Sequence, residues 1–113
     1  AYKGRPVLIT GSPGGRTIIN TTLQMVLNVL EFEMELPDAM RAARIHHQWL
    51  PDVTSIEERA VSADSLKLYE ALGHPVRVRG EQGAAMAVYH DREAGLFLGA
   101  SDSRRGDGAA VGY

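Results

Sequence analysis

The sequence has 113 residues, which suits a single domain over residues 1–113, and 44% of them are hydrophobic, which argues against disorder. Its 12 Lys and Arg and 14 Asp and Glu residues give a formal net charge of -2, so charge offers no basis for a nucleic-acid or anionic-membrane partner. It contains no cysteine, which excludes disulfides and thiolate metal ligands, and no apolar run approaches the ~20 residues that a membrane span needs.

The first half of the chain predicts a strand followed by two helices. Residues 6–10 form an apolar, β-branched run that is typical of a buried strand. After a glycine-rich turn, residues 16–32 carry apolar side chains at helical spacing on two sides, which predicts a mostly buried helix. Pro37 suits the first turn of a shorter helix that ends near residue 43.

The second half predicts an ordered loop at residues 46–52, one more helix and several strands. A strand is expected at residues 55–59, and Ser62 is a good N-cap for a helix that Gly73 ends, with Leu66, Tyr69 and Leu72 facing the core. Further strands are predicted at residues 76–78, 84–89 and 96–100, the last two forming a hairpin. This order indicates a layered α/β or α+β domain whose first strand could lack a partner within the chain.

The most informative segment is Gly11-Ser12-Pro13-Gly14-Gly15, between the first strand and the long helix. Two adjacent glycines can aim successive N–H groups at one point, and the helix that follows adds the positive end of its dipole. Such a turn can hold a phosphate, a carboxylate or the oxyanion of acyl transfer, although a tight turn without a ligand explains the glycines equally well. It is neither a P-loop nor a dinucleotide-binding fingerprint, because neither spacing occurs.

Three segments, read together, carry a family resemblance. They are Gly-Ser-Pro-Gly-Gly-Arg-Thr-Ile-Ile at residues 11–19 with Leu-Gln-Met-Val-Leu-Asn-Val at 23–29, His-His-Gln-Trp-Leu-Pro-Asp at 46–52 and Gly-Ala-Ser-Asp-Ser-Arg at 99–104, and the sequence ends in Gly112-Tyr113. In this order and spacing they resemble the C-terminal part of the small subunit of a gamma-glutamyltranspeptidase. The resemblance covers essentially the whole chain. It implies an α+β fold that is part of an N-terminal-nucleophile hydrolase αββα sandwich.

The resemblance also implies an activity and partners. Members of this family are made as a precursor that cleaves itself into a large and a small subunit, and the threonine that cleavage exposes attacks the gamma-glutamyl amide of glutathione or a related compound. Water, an amino acid or a peptide then resolves the acyl-enzyme. The expected partners are the remainder of the small subunit, the large subunit and a gamma-glutamyl substrate, with no cofactor, in the periplasm or outside the cell. The resemblance assigns the N–H groups of the oxyanion hole to Gly14 and Gly15.

The chain also departs from the family pattern. Residue 1 is Ala, and the nucleophile threonine, the family's Ser-Ser pair and its residues for the substrate's amino and carboxylate groups have no counterpart. We therefore assign no catalytic nucleophile to this chain and predict that it is inactive alone. The alternative is a non-catalytic anion-binding or interaction domain of the same fold. A third possibility is a truncated fragment that has no biological role by itself. An exposed apolar edge at residues 7–9 would favour it.

His46 and His47 are weak candidates for a metal site. Adjacent loop residues point apart, and no carboxylate cluster at ligand spacing accompanies them. We expect instead that a histidine and Trp49 pack the loop between layers, with the ring N–H groups hydrogen-bonded.

Four further sets of polar residues each admit a functional or a structural role. Asp102 and Arg104 could form an acid and an anion clamp, but a salt-bridged or capping arrangement is favoured. Arg16 could position an anionic substrate, and its place near the positive end of a helix predicts a carboxylate partner. The hydroxyl of Ser12 is expected to stabilise the turn. The residues at the hairpin tip, Asp91, Arg92 and Glu93, are expected to form a solvated turn.

Overall fold

A computed structural model describes residues 1–112. Those residues form six strands and three helices, with a single 3-10 turn, Gly15–Thr17, in front of the first helix. In chain order the elements are β1 (Leu8–Gly11), α1 (Ile18–Leu30), α2 (Leu36–Arg41), β2 (Ile45–His46), β3 (Thr54–Glu57), α3 (Ala63–Ala71), β4 (Val76–Arg79), β5 (Met86–Asp91) and β6 (Leu96–Ser101).

The first sheet is antiparallel, with the strand order β1-β5-β6. The hairpin of β5 and β6 is confirmed, whereas the expectation that β1 could lack a partner is wrong, because β1 pairs with β5 in the register Leu8↔Tyr89. The other edge of β1 has no strand beside it within residues 1–112, and Ile9 on that strand is 60% exposed.

Helices α1 and α2 cover one face of this sheet. Their buried residues join alanines of β5 and of the segment before it in one apolar core, lined by Met25, Val29, Leu36, Ala39, Met40, Ala85 and Ala87. Tyr89 and Leu8, which are partners across β1 and β5, pack against it from the sheet. Since side chains alternate across a strand, the intervening residues Ile9, Met86 and Val88 point to the opposite face, where they are exposed.

Helix α1 buries one face and not two. Thr21, Met25 and Val29 recur every fourth residue and are buried, but Ile19 is 76% exposed and Leu23 is 53% exposed. The prediction of a mostly buried helix is therefore wrong for the described residues, because they place a layer on one side of α1 only. The helix begins at Ile18, two residues later than predicted, since Gly15 has a φ of 56° and residues 15–17 form the 3-10 turn.

The second sheet has the order β2-β3-β4. Strands β3 and β4 are parallel, and α3 connects them. The Ser62 Oγ accepts a hydrogen bond from the Ser65 N–H at 3.1 Å, as predicted for an N-cap, and Gly73 follows the helix with a φ of 91°. Leu72 is 77% exposed, so its predicted place in the core is wrong.

One smaller difference concerns the second sheet. His46 belongs to β2, which pairs with β3, so the predicted loop begins only at residue 47. No helix within residues 1–112 is long and apolar enough to cross a membrane.

Candidate active site

The glycine turn, residues 11–15, follows β1 directly and leads into the 3-10 turn. Gly14 has a φ of 134° and Gly15 a φ of 56°, both in the region that favours glycine. Within residues 1–112, neither amide N–H donates a hydrogen bond, whereas the Gly14 carbonyl accepts two from Thr17, from its N–H at 3.2 Å and from its Oγ1 at 3.0 Å. The two adjacent amides are therefore available to an external acceptor.

The two glycines differ in what a side chain would meet. A Cβ on Gly14 would lie 2.5 Å from the Thr17 Oγ1, so only glycine fits there without a shift of Thr17. A Cβ on Gly15 would meet no atom within 4 Å. The space beside Gly15 is open, and a ligand could approach its backbone from that side.

Ser12 stabilises the turn, as predicted. Its hydroxyl donates to the Pro13 carbonyl at 2.7 Å and accepts the Ala84 N–H at 2.9 Å. One side chain thus joins the turn to the segment that precedes β5.

A cavity of about 200 Å³ reaches the glycine turn at Pro13. Its other walls come from the start of β5, the end of β6 and the tail, namely Ala84, Ala85, Met86, Ser101, Asp102, Arg105, Asp107 and Gly108. Gly14 and Gly15 do not line it, and both are exposed. Arg16, next to them, is also exposed and forms no ion pair within residues 1–112, so the carboxylate partner expected for it is not found there.

A separate, buried set of charges, the ion cluster, is formed by Arg44, Glu57, Asp102 and Arg104. The salt bridge predicted for Asp102 and Arg104 is confirmed, with 3.1 Å between Oδ1 and Nη1. The Arg104 guanidinium also makes two hydrogen bonds to the Glu57 carboxylate, and Arg44 Nη2 lies 2.6 Å from Asp102 Oδ2. Each of these four side chains is at most 8% exposed.

Backbone groups complete the ion cluster. Arg104 donates to the Met40 carbonyl at 2.9 Å and to the Ala42 carbonyl at 3.1 Å. Carboxylate oxygens of Glu57 accept the N–H groups of Arg44 and Gln82. The cluster therefore links the end of α2, the second sheet, the segment before β5 and the tail, and its charges are used in structure.

The cluster also sets the protonation of its two acids. Burial alone would raise the pKa of Glu57, but the hydrogen bonds from Arg104 and from the Gln82 and Arg44 amides outweigh it and hold that pKa below its usual value. Burial acts on Asp102 in the same direction, and hydrogen bonds from the Arg104 and Ala85 amides and from Arg44 likewise leave its pKa lowered. Both acids are therefore held in the ionised form.

Sequence reasoning missed Arg44 and Glu57. Glu57 has no clear signal, because it begins a run of three charged residues, 57–59, at the end of the predicted strand. Arg44 has no signal, because nothing in its neighbours distinguishes it from an exposed arginine.

The histidine pair has a structural place. His46 is buried, with its Nε2 3.0 Å from Gln48 Oε1, but its Nδ1 has no partner within residues 1–112. His47 Nε2 lies 3.1 Å from Asp52 Oδ1. Trp49 is 78% exposed, so its predicted packing between layers is wrong for the described residues.

The hairpin tip is a solvated turn, as predicted. Asp91 Oδ1 accepts the N–H groups of Glu93 and Ala94, each at 3.0 Å, while Arg92 and Glu93 are exposed. Over residues 1–112, no three His, Asp or Glu side chains are grouped so that they could hold a metal ion.

Comparisons with known proteins show the family of the chain. The family model of gamma-glutamyltranspeptidase matches residues 1–112. The glutathione hydrolase proenzyme of Escherichia coli (strain K12) is 42% identical over 110 residues, which are 97% of this chain and 19% of that protein. The proenzyme of Bacillus subtilis (strain 168) is 37% identical, over 96% of this chain and 18% of that protein.

Solved structures agree with the sequence matches. The T380A mutant of Helicobacter pylori gamma-glutamyltranspeptidase superposes with a TM-score of 0.86 and 32% identity, over 93% of this chain and 57% of that one. The expected α+β fold, that of the N-terminal-nucleophile hydrolases, is thereby confirmed. The chain spans about a fifth of the length of the curated relatives that it matches. It belongs to the gamma-glutamyltranspeptidase family, as its motifs indicated.

Proposed function

We propose that the protein containing this chain hydrolyses or transfers the gamma-glutamyl group of glutathione and related amides, and that the Gly14 and Gly15 N–H groups stabilise the oxyanion. The observation that carries the proposal is a pair of adjacent glycine amides at positive φ, neither of which is hydrogen-bonded within residues 1–112. They stand next to open space at Gly15 in a chain of this family.

The chemistry needs such donors at one step. When a nucleophile oxygen adds to the amide carbon, the carbonyl oxygen gains negative charge, and two N–H groups at ~2.7–3.1 Å lower the barrier. The carbon–nitrogen bond then breaks, and the departing amine takes the proton that the attacking hydroxyl gave up. Water or an acceptor amine attacks the resulting acyl-enzyme with help from the same two donors, the ester bond breaks, and the nucleophile oxygen regains a proton from the attacking group.

The nucleophile in this proposal is an N-terminal threonine outside the chain. The remainder of the small subunit and the large subunit of the same precursor supply it together with the groups that bind the substrate's amino and carboxylate ends. We place the protein in the periplasm or outside the cell, as the family resemblance implies.

The proposal is tested by comparing two glycines in the purified, processed full-length protein. Gly15→Ala keeps the N–H but adds a methyl group that would hold the oxyanion away from it, so kcat/KM for a gamma-glutamyl anilide should fall on the order of 10²-fold, as when one donor no longer reaches the oxyanion. Gly73→Ala is the matched control, since Gly73 also has a positive φ and open space around its Cβ position. It should reproduce the backbone strain and leave kcat/KM unchanged.

Two results would contradict the proposal. One is full activity in Gly15→Ala. The other is binding of gamma-glutamyl compounds by the full-length protein with no turnover, which would favour the non-catalytic anion-binding alternative. The 113-residue chain alone should show no turnover in the same assay, since the proposed nucleophile lies outside it.

A further inference from the structure

A second segment, residues 82–85, packs against the glycine turn. Residues 82–85, the buttress, lie between β4 and β5. The Ala84 N–H donates to the Ser12 Oγ at 2.9 Å, and the Cβ position of Gly14 lies 3.5 Å from the Gly83 Cα. The buttress therefore contacts the turn by a hydrogen bond to Ser12, and Gly83 lies on the side of Gly14 from which a side chain would project.

Gly83 allows the buttress to lie close to Ser12 and to helix α1. Its φ is 67°, and a Cβ there would lie 2.6 Å from Thr21 Oγ1 and 2.9 Å from Ser12 Oγ. Any side chain at this position would push the buttress away from Ser12 and from α1. The absence of a side chain is thus a requirement of the contact.

The other side of the buttress is fixed by the ion cluster. The Gln82 N–H donates to Glu57, and Arg44 Nη1 donates to the Gln82 carbonyl at 2.7 Å. Asp102 holds Ala85 at two points, accepting its N–H at 2.9 Å and donating its own N–H to the Ala85 carbonyl at 3.0 Å. These hydrogen bonds anchor the buttress to the buried ion cluster.

We propose that Ser12 and Gly83 are positioning residues, which set the direction of the Gly14 and Gly15 amides by holding the turn against the buttress. The inference rests on the proposed oxyanion role of those amides. Neither residue is proposed to touch the substrate. Ser12 acts two residues before Gly14: its hydroxyl fixes the Pro13 carbonyl on one side and is fixed by Ala84 on the other.

The test uses Ser12→Ala in the processed full-length protein, with Ser103→Ala as the matched control, because Ser103 is exposed. For Ser12→Ala, kcat should fall about tenfold, less than the 10²–10³-fold that follows loss of a whole donor, while KM changes little. A gamma-boronate analogue of the acyl group, whose adduct places a negative oxygen in the oxyanion hole, should bind more weakly by about the same factor. Ser103→Ala should leave all three quantities unchanged.

A second measurement does not depend on turnover. Hydrogen exchange at the Ala84 amide should become faster in Ser12→Ala, since its acceptor has been removed, and stay unchanged in Ser103→Ala. Gly83→Ala should weaken boronate binding at least as much as Ser12→Ala does, because the added Cβ overlaps Ser12 Oγ. If Gly83→Ala fails to fold, Ser12→Ala alone decides.

The outcomes separate this inference from the proposed function. If the wild-type protein turns over and Ser12→Ala keeps its kcat and boronate affinity, the positioning role is overturned and the proposed function stands. Equal loss of affinity for the boronate and for glutamate would show a general structural defect and also overturn it. If the wild-type protein has no turnover, the proposed function fails and this inference with it.

Discussion

The ion cluster and the glycine turn differ in how their polar groups are satisfied. The ion cluster brings four charged side chains together out of water and pairs every one of them. The glycine turn has no charged side chain between Gly11 and Gly15, and it presents backbone N–H groups that find no partner within residues 1–112. The buttress connects the two regions.

The difference shows which hydrogen-bond donors remain available to a ligand. A buried charge without a partner is very costly, so each charge of the ion cluster is satisfied internally. An exposed amide can be hydrated until a ligand displaces the water, so the turn can leave two donors open at low cost. We infer that the cluster contributes rigidity and the turn contributes the donors. Two substitutions and one pH series test the structural role of the cluster.

The largest effect is expected on removing Arg104. Arg104→Ala leaves Glu57 buried without its main partner, so the free energy of unfolding should fall by about 3–5 kcal/mol. Arg105→Ala is the control, since Arg105 is its exposed neighbour, and it should change that free energy by less than about 0.5 kcal/mol. Urea denaturation of the full-length protein measures both. A loss below about 1 kcal/mol in Arg104→Ala would mean that the cluster is not a main support of the fold.

A smaller loss of folding stability is expected at acid pH. Because the pKa values of Glu57 and Asp102 are lowered in the folded protein, their stabilisation is complete above the unfolded values of 4.5 and 3.8. It should decline as the pH falls below about 4.5 and continue to decline through the lower folded pKa values. The urea midpoint, measured from pH 7 to pH 3, checks this. Asp52→Asn, which changes a mostly exposed acid, should keep the same slope, and a flat profile for the wild type would contradict the lowered pKa values.

The smallest change in the free energy of unfolding is expected for a surface ion pair whose N···O distance equals that of a buried pair. Arg41 Nη2 lies 2.6 Å from Asp38 Oδ1, the distance found between Arg44 and Asp102, but its two side chains are 63% and 59% exposed. Arg41→Ala should therefore change the free energy of unfolding by only about 0–1 kcal/mol, because water screens the pair and replaces the lost contacts. The same urea series measures it. A loss as large as that in Arg104→Ala would show that burial is not what separates the two regions.

Local signals predicted the parts of the fold that depend on neighbouring residues. The N-cap at Ser62, the hairpin of β5 and β6, and the turn after β1 all follow from short patterns and are present. The pairing of β1 with β5 joins residues about eighty positions apart, and no local pattern records it. The exposed positions of Leu72 and Trp49 were misjudged because apolar character alone does not say which surfaces the described chain covers.

The sequence by itself determined the family and the position of two glycines after a strand, because positive φ angles and a short motif are local properties. Only the tertiary structure decided which groups hold those glycines in place. Glu57 and Asp102 are separated by 45 residues of sequence, yet both contact Arg104, and the buttress between them contacts the turn. Such contacts depend on how layers pack, since a charge becomes buried, and its partner becomes necessary, only when distant segments exclude water together.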